Sequence, residues 1–454
     1  MDAAPGSGDG ALLIVLPGRS GREPVLRRLC AALAPVRLAV LVPRRLSPYS
    51  DWAKHLAHAW IEFGDESGFA LHDAWEAVSQ WLGCSDERVL GCTTWDEWGI
   101  EICAYLCCEE RLNLRYTPLD TVRHVRNKVR FREACAKAGV PVPGFAGIQN
   151  EAQLESVLEK PWRFPTVLKP AQGAGSYYCR KAESAGELLE VFAVLDDQFR
   201  KERSTPEGDI AAGWILEEWF TGQEVDIDGW AKEGQVEWFL ISDNKPVLGQ
   251  GCCETGGLYP SQLPEELQQK LEALTRQVVA ACPGLHSAFH FEALVNLETK
   301  AVMPVELNLR VGGAECPCCV EAVTGVFLPL CAAELALGRP VTPPSAPKAV
   351  VAASSNEYAP CAGTVQACEG SEELFADEHF LGGAFFAREG ASYVPGRGSM
   401  SCLCWLAAKG GDAEEAERNL QRCISNCRLQ VRGFAEPCAS STVRDSTRRT
   451  PTCI

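Results

Sequence analysis

The chain has 454 residues, 46% hydrophobic and 23% charged, with a net charge of −17. That length allows roughly two to four domains, and the acidic balance argues against a nucleic-acid backbone or an anionic membrane as the main partner. The opening MDAAPGSGDGALLIVLPG lacks a basic n-region, and no stretch reaches about 18 continuous apolar residues, so the chain reads as cytoplasmic. Its 23 scattered cysteines then read as reduced, small buried hydrophobes.

In chain order, ALLIVL at 11–16 reads as a buried strand, PGRSG as a turn, EPVLRRLCAALA as a helix and RLAVLVP as a second buried strand. This βαβ opening predicts a parallel sheet. GRSG has neither GxGxxG nor a GK[ST] ending and is assigned a turn. The Trp- and His-rich segment 51–82 has helical spacing and reads as packing residues. RVLGC predicts a strand and WDEWGIEICAYLCCEERL an amphipathic helix. A first boundary falls near 117, before one basic helix over 121–138 stopped by Gly139, Pro141 and Pro143.

FPTVLKPAQGAGSYY predicts a strand ending in a lysine, then a small-residue loop. GWILEEWFTGQEVDIDGWA predicts strand, turn and strand, with Glu224, Asp226 and Asp228 on one face. QVEWFLISD extends the sheet, PEELQQKLEALTRQVVAAC is helical, and AFHFEALVNLETKAVMPVELNLR is a hairpin turning at LETK. The Pro-rich GRPVTPPSAPK marks a second boundary. Beyond it, 349–433 reads as a smaller α+β unit ending strand, turn, helix, and the polar segment from 434 on as disordered. Cys316, Cys318 and Cys319 lack a matched second pair and a nearby histidine, which disfavours structural zinc.

In PVELNLRVGG, Glu306, Asn308 and Arg310 occupy every second position. On a strand they share one face, while Leu307 and Leu309 point to a core. Glu306 and Asn308 are hard oxygen donors suited to Mg²⁺, and Arg310 can grip an anion with two prongs. Other features precede this stretch in order. Lys128 lies on the basic helix. Lys169 ends a strand and precedes Gly173, Ala174, Gly175 and Ser176, so the lysine can neutralise phosphates that loop amides cover. LEEWFTGQE offers main-chain groups for an adenine edge, and Glu224 can take ribose hydroxyls. Glu292 in FHFEAL joins Glu306 and Asn308 as oxygen donors, and Mg²⁺ bridging the phosphates of ATP is their natural tenant. Singly, each feature has a plainer reading: a solvated lysine, a plain connection, a charged strand face. Their order and spacing together carry the argument.

RNKVRFREACAKAGVPVPGF, FPTVLKPAQGAGS, ILEEWFTGQEVDID, FHFEALV and PVELNLRVGG resemble the marks of the ATP-grasp carboxylate–amine ligases. The resemblance implies an α/β (α+β) fold: an N-terminal Rossmann-like pre-ATP-grasp domain over 1–117, an ATP-grasp domain over 118–345 with its lid near 160–222, and a C-terminal α+β subdomain over 346–433. It implies Lys128 and Lys169 as phosphate lysines, with Gly173, Gly175 and Ser176 in the covering loop. Glu217 and the backbone of Glu218 and Phe220 would hold adenine, and Glu224 the ribose. Glu292, Glu306 and Asn308 would carry two Mg²⁺ ions, with Mn²⁺ able to substitute. Arg310 and Gly313 would bind the reacting carboxylate and its acyl phosphate.

The spacing from Glu306 through Arg310 to Gly313 looks most like L-amino acid ligases and the ATP-grasp half of carnosine synthase. It suggests small-molecule substrates, an amino-acid carboxylate and an amine. A biotin-carboxylase-like enzyme would want a richer glycine run than AQGAGS. A ligase for a non-amino-acid carboxylate and a non-catalytic ATP-binding module are the other readings. The sequence leaves open a homodimer, and whether His290 faces substrate or packs in its strand.

Overall fold

In the computed structural model, which describes residues 10–201, 213–247, 252–343 and 348–433 apart from 19, 67 and 69, Ala11–Val15 is a strand with every residue buried. Its neighbours give the parallel order Ala59–Phe63, Arg37–Pro43, Ala11–Val15, Val89–Thr93. An apolar strand buried on both faces needs helices on both sides. One of them, Glu23–Leu33, buries Leu26, Leu29 and Leu33 along a single stripe.

The largest sheet has eight antiparallel strands in the order Val302–Asn308, Ser287–Val295, Gln223–Lys232, Gln235–Asn244, Gly257–Tyr259, Val351–Glu357, Cys404–Gly410, Phe380–Phe385. The Pro-rich segment does not divide it, because Leu258 pairs with Ala353 and the sheet runs on into the C-terminal part. The boundary expected at 345 and the tail from 434 fall outside the described residues. A second antiparallel sheet runs Phe145–Ile148, Trp214–Glu218, Thr166–Pro170, Arg180–Ala182. A three-stranded sheet joins Ser392–Tyr393, Gly363–Gly370 and Cys427–Gly433.

Two cores flank the eight-stranded sheet. On one face Val225, Ile227, Phe289, Phe291, Leu307 and Leu309 pack with Val122, Phe131 and Leu271 from the helices Leu119–Arg126, Lys128–Lys137 and Glu265–Ala280. On the other, Trp230, Ala288 and Ala407 meet the helices Cys316–Thr324 and Leu328–Ala336, and through them Leu12 and Ile14. No single helix among the described residues is long and apolar enough to cross a membrane, and this last pair, bent by 97°, lies in the core.

Two expected elements differ. The single helix over 121–138 is two helices, because Asn127 adopts φ −95°, ψ 107° and caps the second, accepting from the amides of Val129 at 3.1 Å and Arg130 at 3.2 Å. The segment 51–82 is not helical throughout: Ala59–Phe63 is a strand and the long helix is Leu71–Gly83. The two-residue alternation of AWIEF was overshadowed by its Trp and His content. Asn127→Ala should lower stability by about 1 kcal/mol, the usual worth of such a cap, seen as a lower urea midpoint with an unchanged slope.

Candidate active site

Strand alternation builds the floor of the site. In Ser287–Val295 the residues Phe289, Phe291 and Ala293 enter one core, so His290 and Glu292 point the other way. Gln223–Lys232 behaves alike, burying Val225 and Ile227 and turning Glu224, Asp226 and Asp228 to the opposite face. Register then sets these residues side by side. Glu292 lies opposite Asp226 on one side and Glu306 on the other, and His290 opposite Asp228 and Asn308. Three neighbouring strands thus carry a patch of carboxylates, an imidazole and an amide.

Above this floor is a cavity of about 700 Å³. Lys128, Lys169, Gly173, Gly175, Ser176, Glu217, Glu218, Phe220, Glu224, Glu292 and Glu306 all line it. Lys128 opens its helix, and its Nζ lies 2.6 Å from Glu306 Oε2. Its backbone N–H donates to the Ala171 carbonyl at 2.7 Å, tying the helix start to the loop after Lys169. Lys169 Nζ lies 2.6 Å from Glu217 Oε2, while Arg132 Nε holds Glu217 Oε1 at 2.5 Å.

The charges on the floor repel one another. Burial pushes Glu224 well above the usual carboxylate range, and the charges of Glu292, Asp226 and Glu254 add to it. Asp226 is pushed up to about 7, mainly by burial, with His290 opposing and Glu292 reinforcing. Burial and then Glu306 raise Glu292. Glu306 goes the other way: burial is outweighed by Lys128 and by the Asn308 amide, whose Nδ2 donates to Oε1 at 3.0 Å, and the carboxyl falls to about 2. Burial would discharge His290, but Asp228, 2.9 Å away, and Asp226 keep its imidazole well above the ordinary value. Among the described residues no three His, Cys, Asp or Glu side chains are already gathered around one point. Glu292 and Glu306 face each other in register with the Asn308 amide beside Glu306, a hard-oxygen set whose repulsion a divalent cation would relieve. The residues present therefore fit magnesium.

The other expected site residues depart from simple expectation. The Glu217 carboxylate is engaged by Arg132 and Lys169, and the Glu218 N–H donates to the Gly144 carbonyl at 2.8 Å. The segment 219–222 joins strands of two different sheets. Arg310 is partly engaged: Nε donates to Glu97 Oε2 and Nη1 to the Val311 carbonyl, both at 3.0 Å. Glu97 also holds Arg126 at 3.1 Å. A Cβ on Gly313 would meet nothing within 4 Å, whereas one on Gly312 would lie 2.5 Å from Cys316 Sγ and 2.6 Å from Asp228 Oδ1. The close approach belongs to Gly312.

Sequence reading passed over Arg132, Glu254 and Cys179, all of which line the cavity. Arg132 follows Lys128 by four residues and so shares its helix face; that spacing was a usable signal. Glu254, pushed up to about 8 by burial and then by Glu292 and Asp226, had none. Burial pushes the Cys179 thiol up to about 12, which keeps it protonated at neutral pH.

Residues 162–318 match the family model of the ATP-grasp domain, and the architecture is the ATP-grasp fold. The chain superposes on an L-amino acid ligase from Bacillus licheniformis with a TM-score of 0.79 at 19% identity, over 94% of this chain and 100% of that one. Against the biotin carboxylase domain of the 2-oxoglutarate carboxylase of Hydrogenobacter thermophilus the TM-score is 0.68 at 16% identity, over 93% and 90%. In sequence, 188 residues are 34% identical to carnosine synthase 1 of Gallus gallus, 40% of this chain and 20% of that protein. The chain thus matches about a fifth of the length of that relative. In sequence and fold it resembles ATP-grasp amino acid ligases.

Glu217 gives a stability test. Burial raises its pKa, but Arg132 and Lys169 outweigh this and hold it at about 2 against an ordinary 4.5. A depressed carboxyl stabilises the fold above its ordinary pKa and loses that contribution as pH falls toward the folded value, here about 3 kcal/mol. Glu217→Gln should cost roughly 3–5 kcal/mol at pH 7 by leaving buried cations unpaired. It should also flatten the loss of stability between pH 4.5 and 2, read by urea titration at each pH.

Proposed function

We propose that the chain is an ATP-dependent ligase that joins a carboxylate to an amine through an acyl phosphate, forming ADP, with amino acids as substrates and a dipeptide as product. The observation that carries this reading is the pair Glu292 and Glu306, set opposite each other in register on neighbouring strands and sharing one cavity with Lys128 and Lys169. Cations for phosphates and oxygen donors for metal face each other there. The likeness to the L-amino acid ligase of Bacillus licheniformis and to carnosine synthase 1 supports amino acids as the substrates.

Lys128 and Lys169 would neutralise the phosphates of ATP, and the loop through Gly173, Gly175 and Ser176 would cover them. Phe220 and the Glu218 carbonyl would place the adenine, and Glu224 the ribose. Glu292, Glu306 and Asn308 would hold magnesium, which when bound would neutralise charge on the transferring phosphate. The substrate carboxylate attacks the γ-phosphorus and ADP leaves; the amine then attacks the acyl carbon and inorganic phosphate leaves. Arg310, oriented by Glu97, would stand near the transferred anion. No enzyme nucleophile is required, in keeping with a Cys179 held as thiol.

The test is phosphate release by the purified chain with Mg-ATP and pools of amino acids, with products read by mass spectrometry. Release that requires an amino-acid pair, with a product equal to that pair minus water, supports the proposal; ATP binding without release from any pool removes amino acids as substrates. Glu306→Gln and Asn308→Ala should each lower turnover at least about 100-fold, the scale of losing one group that stabilises a developing anion. Glu306 is paired with buried Lys128 and Asn308 is only 6% exposed, so folding is measured separately by denaturation. Near-normal turnover in either variant would remove the metal assignment.

A further inference from the structure

We infer that the segment 394–401 of the C-terminal part is a latch that positions the phosphate-covering loop 171–179 over the cavity. This rests on the reading of that cavity as a nucleotide site. One side of the loop, through Gly173, Ala174, Gly175, Ser176 and Cys179, faces the cavity. The C-terminal segment holds it from outside the lining. The Ser399 N–H donates to the Gly175 carbonyl at 2.9 Å and Ser399 Oγ donates to the same oxygen at 3.2 Å. Just past the loop, Arg180 Nη2 donates to the Gly396 carbonyl at 2.9 Å.

The approach is so close that glycine is required at 398, where a Cβ would meet backbone atoms of Gly175 and Ser176. A Cβ on Gly175 would collide with Ser399 Oγ, and a Cβ on Gly398 with the Gly175 carbonyl. The covering loop also holds left-handed backbone at Gly175 (φ 62°), Ser176 (φ 55°) and Tyr178 (φ 61°). Such conformations in non-glycine residues persist only where surrounding contacts hold them. The latch itself is braced: Ser401 Oγ accepts from the Arg397 N–H at 2.9 Å and donates to the Val394 carbonyl at 2.8 Å. Because Ser399 and Gly398 grip the loop that covers the phosphates, nucleotide release requires these contacts to break. The same grip would shield an acyl phosphate from water.

The test is the release rate of N-methylanthraniloyl-ADP with excess Mg²⁺, followed by stopped-flow on the full chain. Gly398→Ala should release the probe roughly tenfold faster, about the worth of one hydrogen bond, and should raise the KM for ATP more than it lowers kcat. Gly390→Ala is the control: its φ is 81° and a Cβ there meets nothing within 4 Å, so it carries the same left-handed strain with no contact to the loop. It should release at the wild-type rate. If Gly398→Ala does not fold, Ser399→Ala and Arg180→Met replace it, the first removing the Oγ bond to Gly175 and the second the bonds of Arg180 to the Gly396 and Cys179 carbonyls, and each is expected to speed release. A wild-type rate in folded Gly398→Ala, or in both replacements, overturns the latch. Failure of the wild-type chain to bind either the probe, which is esterified on a ribose hydroxyl, or unlabelled ADP by calorimetry overturns the nucleotide-site reading and the latch with it. Binding without peptide formation overturns only the ligase reading, and the release rates then decide the latch alone.

Discussion

A single turn of the helix Lys128–Lys137 holds two sheets in place around the cavity. Lys128, at its first position, reaches Glu306 on the eight-stranded sheet, and Arg132, one turn later, reaches Glu217 on the four-stranded one. Lys169 closes the set by sharing Glu217. Charges this deeply buried must be paired, or the ion would bear its full desolvation cost. The pairing therefore constrains where the two sheets lie at the cavity. Apolar side chains could pack the same junction, but they would leave no cations to meet a polyanionic ligand.

The eight-stranded sheet uses its two-residue period twice. Phe289, Phe291 and Leu307 seal one core, and the residues between them furnish the cleft. Toward the end of the strands that bears Trp230 and Ala288, that second face becomes apolar and joins the other core. The acidic patch is thus the polar stretch of a face that is elsewhere buried, which is why its carboxylates are desolvated and their proton affinities raised. The sheet continues through Val351–Glu357 and Cys404–Gly410 into the C-terminal part. The carboxylate floor and the segment that grips the covering loop are therefore parts joined by one continuous sheet.

Much of this was legible from local pattern. The period of PVELNLR and FHFEAL gives which residues share a face, and the order of Lys128, Lys169, Glu292 and Glu306 survives intact into one cavity. The failures have physical reasons too. Asn127 interrupts a strongly helical run because its side chain competes for the backbone amides that follow it. The crowding at Gly312 depends in part on Asp228, brought up against it from a strand more than 80 residues earlier, and no local pattern announces it. The carboxylate that orients Arg310, Glu97, lies more than 200 residues away in sequence, so no local pattern announces their pairing.

The sequence by itself determined the strands that build the site, their inward and outward faces, and the chemical types set along them, because alternation and residue type are local properties of the chain. Only the tertiary structure decided which charge pairs with which. Glu217 serves Arg132 and Lys169, Glu306 turns to Lys128, and Glu254 joins a cluster that no spacing announces. The physical reason is that burial and Coulomb interaction depend on distance in space. That distance is set by the register of strands far apart in the chain and by the packing of one helix between two sheets.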